Sequence, residues 1–278
     1  MHRRRTLAIT AALLPLAATT PLRAQGPKTV TVYTADYTFT APDTISSGAT
    51  TFHLVNRGPS EHHLVLFELP RGMTVARFDH LMRTDSTDGS GTDGTGILKV
   101  GGMDLAAGKT DALATVDLAP GTYVLTCLLP LPDHSGTHRM RGMYRGLTVV
   151  PAEHEPALPP ADVVVRLADY AFDMPAKIKA GRHPVRFENV GAHPHMAIVR
   201  RMAEGKTLAD EVKWVQGGGV GPEPTIAAGG ATDLAPGRAS INEIEFTPGR
   251  YLFVCGATEG TAPKLHFQVG MFRELIVE

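Results

Sequence analysis

Tyr123 to Met143 reads Y-V-L-T-C-L-L-P-L-P-D-H-S-G-T-H-R-M-R-G-M, and Tyr251 to Met271 reads Y-L-F-V-C-G-A-T-E-G-T-A-P-K-L-H-F-Q-V-G-M. Cys127, His138 and Met143 of the first stretch return as Cys255, His266 and Met271 of the second, with both intervals unchanged. The chain has no other cysteine. A thiolate, an imidazole and a thioether are soft donors suited to copper, and such a set lacks only a second imidazole.

Outward from these stretches the likeness continues. Residues 30–74 align with residues 163–207 at a constant offset of 133 and without a gap. Ala35-Asp36-Tyr37-x-Phe39 becomes Ala168-Asp169-Tyr170-x-Phe172, and Pro42, Ile45, Gly48, Asn56, Gly58 and His62 become Pro175, Ile178, Gly181, Asn189, Gly191 and His195. Asp104-Leu105-Ala106 matches Asp233-Leu234-Ala235, and Pro120-Gly121-x-Tyr123 matches Pro248-Gly249-x-Tyr251. One structural unit is therefore written twice. Between the copies, Pro151 to Pro160 is too rich in proline for a helix or a central strand and reads as a stiff linker. The expected organisation is a unit at 28–150, a linker at 151–161 and a second unit at 162–278.

Within the first unit, Val30 to Tyr33, Thr50 to Val55, Leu64 to Phe67, Ala112 to Leu118, Tyr123 to Thr126 and Leu147 to Val150 are short β-rich runs punctuated by Gly, Pro and Asn. This spacing predicts an all-β fold, an antiparallel sandwich in each unit. Period-two alternation puts Tyr123, Leu125 and Cys127 on one strand face, and Tyr251, Phe253 and Cys255 on one face of the counterpart. One short helix per unit is predicted after Thr74 and Thr207, because Val75, Phe78, Leu81 and Met82, and likewise Leu208, Val212 and Val215, recur at helical spacing. Thr207 with Asp210 has the form of a capping box, and Trp214, the single tryptophan, is expected to pack this helix. Asp85 to Gly96 and Gly217-Gly218-Gly219 read as loops.

Bulk properties narrow the function. Lysine and arginine number 27 against 28 acidic residues, a balance that points to neither nucleic acid nor an anionic membrane as partner. Arg3, Arg4 and Arg5 precede an apolar run from Leu7 to Ala18, and Ala24 follows as a small residue at a cleavage position. Residues 1–24 thus read as a signal peptide, with the general secretory route preferred over the twin-arginine route, and the mature chain is expected to be periplasmic or secreted without membrane insertion. Two cysteines in an exported chain suggest a disulfide. Equivalent positions of two similar units would have to meet to form it, so free thiols are expected.

The missing imidazole lies upstream. Asn56-Arg-Gly-Pro-Ser-Glu-His62 corresponds to Asn189-Val-Gly-Ala-His-Pro-His195, each histidine six residues past an Asn and opening a β-rich run. His63 competes with His62 for the role, but its equivalent is Met196. His193, which maps onto Ser60, reads as a surface or supporting group, and His134 has no counterpart in the second unit. His53, His80, His154 and His183 have no ligand context.

This pattern resembles the cupredoxins, the plastocyanin and azurin kind of blue-copper domain, over nearly all of the mature chain and in two copies. The resemblance implies a Greek-key β-sandwich in each unit and up to two copper ions, one per unit. His62, Cys127, His138 and Met143 would form one set, and His195, Cys255, His266 and Met271 the other. It implies one-electron transfer with a redox partner protein; copper capture or delivery with a copper-handling partner, and a metal-free interaction module, are the alternatives. Ten residues separate Cys from His in both units, against two to four usual in that family. No catalytic residue is assigned and no enzyme is expected. Cys127 lies between Thr126 and Leu128, and Cys255 between Val254 and Gly256, so the histidine that wires the ligand cysteine to a catalytic copper in two-domain oxidases and nitrite reductases is missing.

Overall fold

The computed structural model of the chain describes residues 26–84, 94–105, 109–133, 135–216, 220–258 and 264–278. The expected signal peptide, most of the Asp85 to Gly96 loop, His134 and Gly217 to Gly219 lie outside the described residues. The first repeat contains β1 (Lys28–Ala35), β2 (Thr38–Thr40), β3 (Thr44–Ser46), β4 (Gly48–Asn56), β5 (Leu64–Leu69) and α1 (Val75–Arg83). It continues with β6 (Leu98–Met103), β7 (Asp111–Leu118), β8 (Gly121–Thr126) and β9 (Tyr144–Val150). The second repeat runs in the same order through β10 (Val163–Ala168), β11 (Ala171–Asp173), β12 (Lys177–Ile178), β13 (Gly181–Asn189), β14 (His195–Met202) and α2 (Leu208–Gln216). It ends with β15 (Thr225–Leu234), β16 (Ala239–Phe246), β17 (Gly249–Val254) and β18 (Phe272–Val277).

Two sheets hold all of these strands. One has the order β11-β10-β13-β16-β7-β4-β1-β2, the other β12-β18-β17-β14-β15-β6-β5-β8-β9-β3. Each order reads as equivalent strands in mirror sequence, so the repeats join edge to edge in both sheets. The joins are antiparallel, through Ser240 opposite Val116 and Leu234 opposite Val100. Pairing these edges removes rows of unpaired backbone groups that would otherwise be open.

The fold is the all-β sandwich expected, with one correction. The sheets are mixed, since β1 runs parallel to β4, β10 to β13, β3 to β9 and β12 to β18. The chain leaves β1 through β2, crosses to the other sheet in β3 and returns in β4, so no hairpin forces the first pair to be antiparallel.

Each repeat keeps its own core between the sheets. Val32, Phe52, Leu54, Leu66, Tyr123, Leu125 and Cys127 pack together in the first, and Val165, Phe187, Val199, Tyr251, Phe253 and Cys255 in the second. The alternation of Tyr, apolar and Cys therefore places both thiols on the core face, while Val124 faces the opposite way with Phe67 and Phe78.

β6 and β15 were not expected as strands, because Gly101-Gly102 and Gly229-Gly230 look like loop sequence. Their glycines meet a steric need: a Cβ on Gly102, at φ +143, would lie 1.8 Å from the Leu64 carbonyl oxygen. The linker is seated on the first repeat. Ala49 N–H donates to the Pro156 carbonyl at 2.8 Å, and Gly48 takes φ +98 where a Cβ would stand 2.6 Å from Pro156 Cδ.

The helices form where predicted. Thr74 Oγ1 accepts from Arg77 N–H at 3.1 Å, and Thr207 N–H donates to Asp210 Oδ2 at 2.8 Å. Their packing differs. α1 buries Phe78 and Leu81, whereas α2 buries Glu211 and leaves Val212 39% exposed. Trp214 is half-buried and donates its Nε1–H to the Gly221 carbonyl at 3.2 Å. Among the described residues no helix is long and apolar enough to cross a membrane.

Candidate metal centres

Three pieces of chain bring donors to one end of each core. Cys127 directly follows β8, His62 stands just before β5, and His138 opens a 3-10 turn, His138–Arg141. In the second repeat Cys255 follows β17, His195 begins β14 and His266 opens the turn His266–Val269.

The long interval between Cys and His folds back on itself. His138 N–H donates to the Leu129 carbonyl at 2.9 Å, Arg139 N–H to the Cys127 carbonyl at 2.9 Å, and Pro130 bridges Thr137. The second repeat repeats this. His266 N–H donates to the Ala257 carbonyl at 2.8 Å, Phe267 N–H to the Cys255 carbonyl at 3.0 Å, and Thr258 bridges Leu265. The interval is thus closed at its base in both repeats, and the histidine returns to the sulfur as though the interval were short.

The resulting clusters are nearly superimposable in their distances. His62 Nδ1 lies 3.1 Å from His138 Nδ1, which lies 3.5 Å from Cys127 Sγ. His195 Nδ1 lies 3.0 Å from His266 Nδ1, and Cys255 Sγ lies 3.8 and 3.5 Å from these two nitrogens. In each cluster the donor atoms lie within 4.8 Å of one another, and every donor residue is buried. Bonds of about 2.0–2.3 Å to a central ion would put trigonal donors roughly 3.5 Å apart, so both clusters fit one small ion. Two imidazoles with one thiolate match copper best.

Burial sets the protonation states that a metal would meet. Burial pushes the Cys127 and Cys255 thiols up to about 11 each. Burial also lowers His62, His138 and His195, and with the neighbouring His195 and His193 it brings His266 down to about 4. The imidazoles are therefore neutral near pH 7, the form that binds metal. The His266 Nε2 atom is buried without a hydrogen-bond partner among the described residues.

Methionines complete the backbone frame. Cys127 N–H donates to the Met143 carbonyl and Met143 N–H to the His138 carbonyl, both at 3.2 Å. Cys255 N–H donates to Met271 at 3.2 Å, and Met271 N–H to His266 at 3.0 Å. Both side chains are fully buried in their cores. Neither cysteine is in a disulfide.

Asp36 and Asp169 are functional residues that sequence reasoning missed. Asp36 Oδ1 lies 3.0 Å from His62 Nε2, and Asp169 Oδ1 lies 3.0 Å from His195 Nε2. Each carboxylate therefore accepts a hydrogen bond from Nε2–H and leaves Nδ1 unprotonated toward the sulfur. Burial works to raise both carboxyls, but hydrogen bonds from Ser60 and His62, or from Ala192, His195 and His193, outweigh it and hold them low. The next residue of the motif is also placed: the Tyr37 and Tyr170 rings meet His138 and His266 edge-on at 5.0 and 5.3 Å. Their signal was in plain view, since Ala-Asp-Tyr-x-Phe is the strongest repeated string upstream of the histidines.

His63 stands outside the first cluster. Its Nε2 accepts from Leu128 N–H at 2.6 Å and its Nδ1 lies 3.1 Å from Asp104 Oδ1. His193, 40% exposed on its side chain, has Nδ1 3.2 Å from Asp169 Oδ1. His53 pairs with Asp111 and His183 with Asp162, both away from the clusters.

No protein-family model and no curated protein matches the chain. Solved structures do. Auracyanin A, a "blue" copper protein from the bacterium Chloroflexus aurantiacus, is 19% identical with a TM-score of 0.29, covering 45% of this chain and 99% of its own. A multicopper oxidase is 16% identical with a TM-score of 0.25, covering 92% and 93%. The copper nitrite reductase of Nitrosomonas europaea is 15% identical with a TM-score of 0.26, covering 90% and 93%. Two of these neighbours are enzymes, and this corrects the expectation that the chain is none. The chain resembles the cupredoxins in two tandem copies, with one buried His, Cys and His cluster in each that fits a copper ion.

Proposed function

We propose that the chain is a two-unit copper protein, with units at 28–150 and 162–278, that passes single electrons to and from redox partner proteins. The observation that carries this reading is the duplicated, buried triad of two Nδ1 atoms and one Sγ, each oriented by a carboxylate on the far nitrogen of the first histidine. His62, Cys127 and His138, with Met143 as the weak fourth donor, would hold one copper; His195, Cys255, His266 and Met271 would hold the other. Bound copper would supply a one-electron couple. The protein's part is to keep both imidazoles neutral, to exclude water, and to hold the donors in hydrogen-bonded backbone so that they rearrange little between oxidation states. The arginine and apolar pattern before Gln25 supports work outside the cytoplasm.

Metal analysis of the purified protein tests this reading. Two copper equivalents in the wild type, falling to one in Cys127→Ala and in Cys255→Ala, with a reversible visible thiolate-to-copper band, is the expected result. Copper that leaves readily to a chelator without redox cycling would favour capture and delivery by the same residues. Equal copper in the wild type and the double variant would end both readings.

A further inference from the structure

The layer between helix and sheet is closed in the first repeat and open in the second. Phe67 and Phe78 meet beneath α1 at 5.1 Å between ring centroids, with Val65, Leu81 and Val124 around them. At the equivalent positions the second repeat carries Arg200 and Glu211. Arg200 turns aside to pair with Glu223, and its Nε–H donates to Thr225 Oγ1 at 2.6 Å. A groove of about 640 Å³ remains beneath α2, walled by Leu208, Val212, Val215, Leu252, Phe267 and Phe272. That volume and those walls are typical of a small-molecule site.

Glu211 lines the same groove and is only 7% exposed. Its Oε2 accepts from Thr225 Oγ1 at 3.3 Å, and the Arg200 guanidinium that acts on it is already paired with Glu223, so two carboxylates share one cation. A buried carboxylate whose counter-ion is shared with a second carboxylate is unfavourable, and burial, with Glu223 adding to it, outweighs Arg200 and pushes Glu211 above the usual carboxylate range. An arriving cation relieves that penalty, while apolar walls suit an uncharged body behind it.

We propose that this groove binds a small organic amine, its apolar part against Val212, Leu252 and Phe272 and its ammonium group on the Glu211 carboxylate. The site does not depend on metal, although Phe267 follows His266 and Val254 precedes Cys255, so it shares a wall with the second cluster.

Titration of the purified chain with n-hexylamine, n-hexanol and hexanoate tests this, followed by calorimetry and by the fluorescence of Trp214, the single tryptophan and part of α2. Hexylamine should saturate one site, and hexanoate should bind at least about tenfold more weakly. Glu211→Gln should weaken hexylamine about tenfold and leave hexanol unchanged. Glu211→Phe, which copies Phe78, should abolish both; if that variant misfolds, Glu211→Gln carries the test. No saturable binding of any probe, equal affinity for hexylamine and hexanoate, or an unchanged hexylamine affinity in Glu211→Gln would overturn the proposal.

Discussion

The two repeats agree where a metal would be held and disagree one layer further out. Around each triad the carboxylate and the tyrosine edge recur at matching distances, and one bridge closes the base of each Cys–His interval. Beyond it, the first repeat has His63 bonded to Leu128 N–H and Asp104, where the second has Met196 and Gly256. Arg139, buried and joined to Asp79 at 3.0 Å and to the Met82 carbonyl at 3.0 Å, ties the first 3-10 turn to α1. Phe267 and Val212 stand at those positions in the second repeat and make no such tie. Coordination chemistry tolerates few donor arrangements, whereas the layer behind it has only to fill space or bind something, and so it diverges.

The largest effect should come from the helix layer. Phe78→Ala removes a fully buried ring from a closed core and should destabilise the protein by about 3–5 kcal/mol, while Glu211→Ala at the equivalent position should stay within about 1 kcal/mol. Urea unfolding followed by circular dichroism compares them, and similar losses would break the contrast between closed and open layers. Arg139→Ala should cost about 1–3 kcal/mol, since Asp79 keeps Arg83 at 2.8 Å while the Met82 carbonyl loses its donor, and more than Phe267→Ala in the same assay.

Next come the orienting carboxylates. Asp36→Asn and Asp169→Asn should each weaken copper at their own site by about 10–100-fold. The second loss should be the larger, because Asp169 also accepts Ala192 and His193 N–H groups and so holds the loop before His195. Competition with a calibrated chelator reads both, and a site-independent loss would argue against separate centres.

Proton linkage gives a smaller signal with a definite sign. With the thiols near 11 in the folded chain, copper uptake at pH 7 should release about one proton per site into weak buffer. His266, at about 4 when folded against an ordinary 6.5, is neutral in the fold and binds a proton more readily when unfolded. Stability of the metal-free protein should therefore be full above pH 6.5 and decline as pH falls from 6.5 toward 4. Denaturant midpoints across that range check the sign. The smallest change expected is in His63→Met, which makes the first site resemble the second: its visible band should move toward that of the second site with both copper equivalents retained.

Much of this was legible in the chain. The repeat, the strands around each cysteine, the helix starts at Thr74 and Thr207, and the His, Cys, His triads all follow from residue type and spacing. The reason is local: alternation sets the face of a strand, capping side chains act within one turn, and the donor types needed to hold copper are few. Asp36 and Asp169 were readable as a motif but not as a role, since nothing in the 26 positions that separate His62 from Asp36 says that they meet.

Only the tertiary structure decided how the ten-residue interval closes at Pro130 and Thr137, how the two copies share both sheets, and which helix covers its sheet. Each of these depends on contacts between segments distant in sequence, where the outcome rests on the fit of both surfaces. The exchange of Phe78 for Glu211 looks like a minor change on a helical pattern. Against the facing sheet, with Arg200 in place of Phe67, it separates a packed core from an open groove.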